Sequence, residues 1–200
     1  MGLIDENSYK LTEKNYFKET YDKTQIIIGH TYRNNMLHYA EWIYRLNGKN
    51  KKTATFTINK DGKIYQHYNP SFYSSFINKE QDKASISIVL ENVGWLRKDG
   101  ISNKYLDWLG NEYKKQNEDV LNKRWRNYSY WDKYSNKQLE SLKDLVTELC
   151  QEYNVPKNFI GHNVYDENID LYKGIVFRSN YYQETTDVSP AFDFEYLKNL

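Results

Sequence analysis

Histidine and cysteine are scarce in this 200-residue chain, which has four of the first and one of the second, and two of the histidines close apolar runs. His162 follows Phe159-Ile160-Gly161, and His30 follows Gln25-Ile26-Ile27-Ile28-Gly29. Asp187 precedes Val188-Ser189-Pro190, which reads as the start of a final helix. A histidine at a strand end and a carboxylate before a helix are both held by rigid elements, and both are zinc-ligand types. His162 and Asp187 are therefore candidate metal ligands facing one cleft, and a site at the end of the His30 strand is compatible with them. His67 projects from a hairpin and is a reserve ligand, an exposed hairpin histidine being the plainer reading. His38, on a helix, reads as a surface or packing residue. Cys150 lies on a helical apolar stripe, where a small core side chain is the simpler account than a nucleophile, and a single cysteine excludes an intramolecular disulfide.

The elements that must position these groups are legible in order. Gln25 to Thr31 is β-branched and too apolar for a surface element, so it reads as a buried central strand. Leu37, Ala40, Ile43 and Leu46 form a helical face that stops at Asn47-Gly48. Lys60-Asp61-Gly62 separates two alternating segments, 53–58 and 63–68, as a hairpin turn. Ser85 to Asn92 is a second buried strand, with Glu91 near its end. Residues 97–134 form an aromatic and charged insertion, with a helix expected around Tyr105, Leu106, Trp108 and Leu109. Its Arg124-to-Trp131 stretch interleaves arginines with Trp125 and Trp131, which could stack on a ligand or cover the core. Ser135 to Gln138 is a capping box, opening an amphipathic helix with Leu139, Leu142, Val146, Leu149 and Tyr153 on one face and Pro156 after its end. This alternation implies one α/β domain over residues 1–200, a mixed central sheet flanked by helices, in which the His30 strand, the 85–91 strand and the segment before His162 share the sheet.

Composition narrows the partners. The net charge of +1, from 28 basic and 27 acidic residues, offers no global field for a nucleic-acid polymer or an anionic membrane. Twenty tyrosines and five tryptophans suggest aromatic-lined surfaces. The first residues lack a charged-then-apolar leader, and no apolar run approaches about eighteen residues, so the expectation is cytoplasmic synthesis without a signal peptide.

Several of these segments together resemble a known family. Gly161-His162, Thr185 to Tyr196, the 55–66 hairpin and the long helix before His162 are similar to the motifs of the zinc-dependent N-acetylmuramoyl-L-alanine amidases. That superfamily includes phage endolysin amidases and peptidoglycan recognition proteins. The resemblance covers residues 25–96 and 136–200 in the family's order. It implies the amidase fold, Zn2+ as cofactor, a peptidoglycan fragment as partner, and cleavage of the amide between N-acetylmuramic acid and L-alanine. A phage origin, and hence an infected cell as location, is also implied. A three-ligand zinc with an open fourth position lowers its water's pKa to about 7 and supplies both nucleophile and oxyanion support.

The resemblance assigns His162 and Asp187 as ligands. The family's first ligand is the first histidine of an Ile-Ile-His-His-Thr segment, and alignment on Thr31 puts Gly29 there. His30 would complete the set only through a bulge at Gly29, since adjacent strand residues face opposite sides. The usual base position is Val89, with Glu91 two residues on and on the same face as the substitute general base, a strand-end carboxylate being the plainer reading. Thr185 stands where the family usually has a lysine. Two functions follow as expectations. One is the amidase. The other is an inactive amidase fold that binds or sequesters a muropeptide, or another small ligand such as a nucleotide-type messenger, through Trp125 and Trp131.

Overall fold

The structure is a computed structural model that describes residues 4–114, 117–198 and 200. The chain runs β1 (Gln25–His30), α1 (Leu37–Tyr44), β2 (Phe56–Ile58), β3 (Ile64–Gln66), α2 (Lys79–Lys83) and β4 (Ser85–Leu90). It continues with β5 (Trp95–Lys98), β6 (Tyr105–Leu106), β7 (Val120–Trp125), β8 (Tyr128–Asp132), α3 (Asn136–Glu152), β9 (Gly174–Phe177), α4 (Arg178–Tyr181) and α5 (Glu195–Lys198).

The five-stranded central sheet has the order β3-β2-β4-β1-β9, with β1 parallel to β4 and β9, β2 parallel to β4, and only β3 antiparallel. This is the mixed α/β sheet expected. Alternation divides β1 between two faces. Ile26 and Ile28 join Ile86, Ile88 and the α3 residues Leu142, Leu145 and Val146 in the main core, whereas Ile27 packs with Val176, Ile169 and Tyr181 on the other side. The side chain of Ser135 caps α3 by accepting from Gln138 N–H at 3.1 Å. Gln138 does not reciprocate; it is buried and donates to the carbonyls of Ile58 and Glu91, tying the helix start to the ends of β2 and β4.

Three expectations need correction. The third strand beside β1 is β9, not the segment before His162, which makes a single bridge from Phe159 to Ile175 at the sheet edge. The four residues Gly174–Phe177 are too few to show a period within the surrounding polar sequence. The expected apolar face of α1 is not its buried one: Leu37 and, past the helix end, Leu46 are exposed, Ala40 and Ile43 are only half-buried, and His38 is the buried residue. Nor is there a helix at Tyr105. That segment is β6, part of a separate sheet of order β6-β5-β8-β7 built from the insertion around a small core of Val93, Leu96 and Tyr113.

Candidate active-site cleft

A cleft of about 550 Å³ opens at the carboxyl ends of β1 and β4, on the face that carries Gly29 and Val89. Its floor is unusual because Gly29 leaves room for other groups. A Cβ there would lie 2.7 Å from Asp187 Oδ2 and 3.2 Å from the Phe76 ring, so the space that a side chain at 29 would enter is filled by that carboxylate. Asp187 is fully buried. Arg178 Nη1 donates to its Oδ2 at 3.4 Å, and the Tyr32 hydroxyl donates to its Oδ1 at 3.3 Å. Burial pushes the Asp187 carboxyl up, while the Arg178 guanidinium and the backbone N–H of His30 pull it back. Asp187 in turn raises Arg178. The pair joins a fully buried carboxylate to a half-buried guanidinium that lines the cleft.

β1 pairs with β4 without a break in register from Gln25 to His30, so no bulge re-aims His30. Its ring turns to the α3 face, where Nδ1 lies 2.8 Å from the Tyr134 hydroxyl, and Nε2 has no partner. Burial, with Arg178 and Lys60 nearby, lowers it to about 3, so it is neutral. His162 is half-buried beside α4, with Nδ1 3.4 Å from Asn180 Nδ2. The next residue, Asn163, donates to the Val188 carbonyl at 3.0 Å, which holds the His162 and Asp187 segments side by side. Neither His162 nor Asp187 is among the residues that line the cleft, whereas His30 lines it at the end of β1 with its ring on Tyr134.

Glu91 does not reach the cleft. Its carboxylate accepts from the backbone N–H of Met36 at 2.9 Å and of Lys60 at 3.4 Å, clasping two loops in a separate groove. The insertion does wall the cleft through Trp108, beside Trp95 at the start of β5, rather than through Trp125 and Trp131. Trp131 is fully buried, donates to the Lys123 carbonyl and packs on Trp125 within the inserted sheet. His67, too, is fully buried rather than exposed. The chain positions that sequence reasoning missed are Arg178, Tyr32 and Trp108. The one available signal was Gly29 itself, whose missing side chain demanded another occupant.

A family model described as N-acetylmuramoyl-L-alanine amidase matches residues 19–174. The chain belongs to this amidase family. Among solved structures, the N-acetylmuramoyl-L-alanine amidase LysC from Clostridium intestinale URNW is 19% identical at a TM-score of 0.56, covering 99% of this chain and 96% of that one. The Ph2119 endolysin from the Thermus scotoductus MAT2119 bacteriophage Ph2119 is 12% identical at 0.53, over 98% and 96%. Drosophila peptidoglycan recognition protein SA is 13% identical at 0.52, over 99% and 92%. At these identities the likeness shows the fold. No curated protein sequence matches the chain.

The side chains of this amidase-family protein do not fit the zinc that its resemblance implies. Among the described residues no group of three or more His, Cys, Asp or Glu side chains is placed to hold a metal. The carboxylate of Asp187 faces a guanidinium, Gly29 offers no ligand atom, and His30 is committed to Tyr134. An arginine and a three-ligand zinc cannot share one buried carboxylate without strong repulsion between the two cations.

Proposed function

We propose that this protein recognises a peptidoglycan fragment, a muropeptide containing the N-acetylmuramic acid to L-alanine amide, and holds it in the cleft without metal-dependent hydrolysis. Family membership supports the ligand class. The Arg178–Asp187 pair over Gly29 supports binding rather than zinc chemistry, because it consumes the carboxylate that a metal would need. A volume of about 550 Å³ suits a small fragment rather than a polymer. The relevant experiment titrates the purified full chain with muramyl dipeptide and follows tryptophan fluorescence, with and without EDTA, alongside a zinc assay and a cleavage time course. Saturable binding that EDTA leaves unchanged, with no cleavage, is the expected result.

Hydrolysis of the same amide is the second reading, and the family match over 19–174 favours it. It requires stoichiometric zinc and cleavage abolished by His162→Ala. Those two results together would replace the binding reading.

A further inference from the structure

The cleft carries two features that specify the chemistry of its ligand, and the inference from them rests on the reading of this cleft as a binding site. The first is charge. Arg33, Arg45, Lys52 and Arg178 line it against a single lining carboxylate, Glu41. Arg33 is committed to Glu41 at 2.5 Å and lies 4.3 Å over the Trp108 ring, and Arg178 is committed to Asp187. Arg45 reaches Glu41 only at 3.5 Å, and among the described residues the Lys52 ammonium has no partner. The Lys52 ammonium is therefore free to meet an anion, and Arg45, held to Glu41 only at 3.5 Å, is the cation beside it that can turn to the same group.

The second feature is His38, which lines the same cleft, is 2% exposed, and has an Nδ1 with no partner. Its protonation can be worked out along a chain of contacts. His67 Nδ1 lies 2.7 Å from the Tyr9 carbonyl, which only accepts, so that nitrogen carries the proton. Burial lowers His67 to about 4, so the ring is neutral and its Nε2 accepts. The Thr57 hydroxyl, 2.8 Å away, must donate to it. Having spent its one proton, Thr57 Oγ1 accepts from His38 Nε2 at 3.0 Å. Burial lowers His38 to about 3 as well, so its Nδ1 is a bare lone pair.

We propose that the cleft selects a small ligand bearing an anionic group, held by Arg45 and Lys52, together with an N–H or O–H donor accepted by His38 Nδ1, a tautomer that Thr57 and His67 set. A carboxylate on a muropeptide and a phosphate on a nucleotide share this chemistry. This acceptor is already buried and unpartnered in the free protein, so a ligand that brings the donor gains a hydrogen bond that a ligand without it does not.

The test uses the full-length protein with muramyl dipeptide and adenosine monophosphate as separate probes, read by imidazole 15N NMR and by fluorescence titration. His38 should appear as the Nε2–H tautomer between pH 6 and 8, and its Nδ1 resonance should shift on saturation with the probe that binds. His38→Phe should weaken binding roughly tenfold. Lys52→Gln should weaken it several-fold and reduce its salt dependence. Thr57→Val keeps the shape of the site and removes the relay, so the single tautomer should be lost and affinity should fall less than in His38→Phe. If His38→Phe does not fold, Thr57→Val and the wild-type NMR carry the decision. Binding of muramyl dipeptide with no Nδ1 shift, an Nδ1–H tautomer, or an unaffected Lys52→Gln overturns this inference and leaves the peptidoglycan reading standing. A shift produced by adenosine monophosphate alone supports the inference and removes the peptidoglycan reading. Failure of both probes to bind removes both.

Discussion

The two faces of the central sheet follow different rules. On the α3 face, Ile26, Ile28, Ile86 and Ile88 meet Leu142, Leu145 and Val146, and every one of these side chains is fully buried. On the opposite face, at the strand ends, Val89 lines a cleft rimmed by arginines and tryptophans, where the half-buried Arg178 pairs with the buried Asp187 over Gly29. The first face depends on volume and apolarity alone, so it survives exchange among similar residues. The second depends on a few atoms. Gly29 contributes no side chain there, and the Arg178 guanidinium pairs with the carboxylate that fills its space. The fold is therefore no guide to the chemistry, which is decided by a handful of positions at the carboxyl ends of the strands.

Acid should erode stability on both faces at once, and this is the largest effect expected. His30 on the α3 side is lowered to about 3, and His38 and His67 beyond β2 to about 3 and about 4, each chiefly by burial. Folded values below the ordinary 6.5 mean that the unfolded chain binds these protons first. Their contribution is complete above about pH 6.5 and is lost as pH falls toward 4, at roughly 1.4 kcal/mol per pH unit for each ring. Asp82 acts in the other direction: burial raises it to about 6, so its contribution grows as pH falls through 6. Asp187 is raised as well, but three histidines outweigh two carboxyls, and urea unfolding at pH 7.5, 5.5 and 4.5 should show a net loss on the order of 5 kcal/mol over those three units. A flat profile would mean that these rings are not buried neutral.

Next in size is Leu142→Ala, which should cost about 2 to 5 kcal/mol by urea unfolding, because the side chain is fully buried between α3 and the sheet. The same substitution should leave ligand binding unchanged once the protein is folded. Loss of binding in folded Leu142→Ala would show that the two faces are coupled through the strands.

How much was legible in the sequence follows the same division. Periodicity found β1, β4, the 60–62 hairpin and α3 with its buried stripe, since each is long enough to show a period and its exposure follows from it. It failed for α1, where Leu37 and Leu46 face outward and a histidine is buried instead, because the Thr57–His67 relay rather than apolarity holds His38 inside. Motif order pointed to Asp187, which lies buried beneath Arg178 rather than lining the cleft. It did not point to the partner of Asp187, since Arg178 lies on a four-residue helix after an unrecognised strand. Trp125 and Trp131 stand out in the sequence because they interleave with arginine, a pattern that fits stacking on a ligand or covering the core. In a hairpin such interleaving places alternate side chains on opposite faces, and Trp131 falls inward.

The smallest change in stability should come from the cleft wall, and Trp108→Ala separates the two faces most cleanly. The indole is 39% exposed, with one hydrogen bond from Nε1 to the Tyr32 carbonyl at 3.0 Å and the Arg33 guanidinium 4.3 Å from its ring. A cation over an exposed ring and a single hydrogen bond together amount to about 1 kcal/mol, so the unfolding midpoint should scarcely move. Binding should respond more, because the same indole would be desolvated between Arg33 and a ligand, where aromatic contacts gain in strength. A roughly tenfold loss of affinity for muramyl dipeptide, with stability within about 1 kcal/mol of wild type, is the expected pair of results. An unchanged affinity would move the ligand away from the inserted sheet and onto the Trp42 side of the cleft. A large loss of stability would instead make Trp108 part of the packing that joins the insertion to the amidase fold.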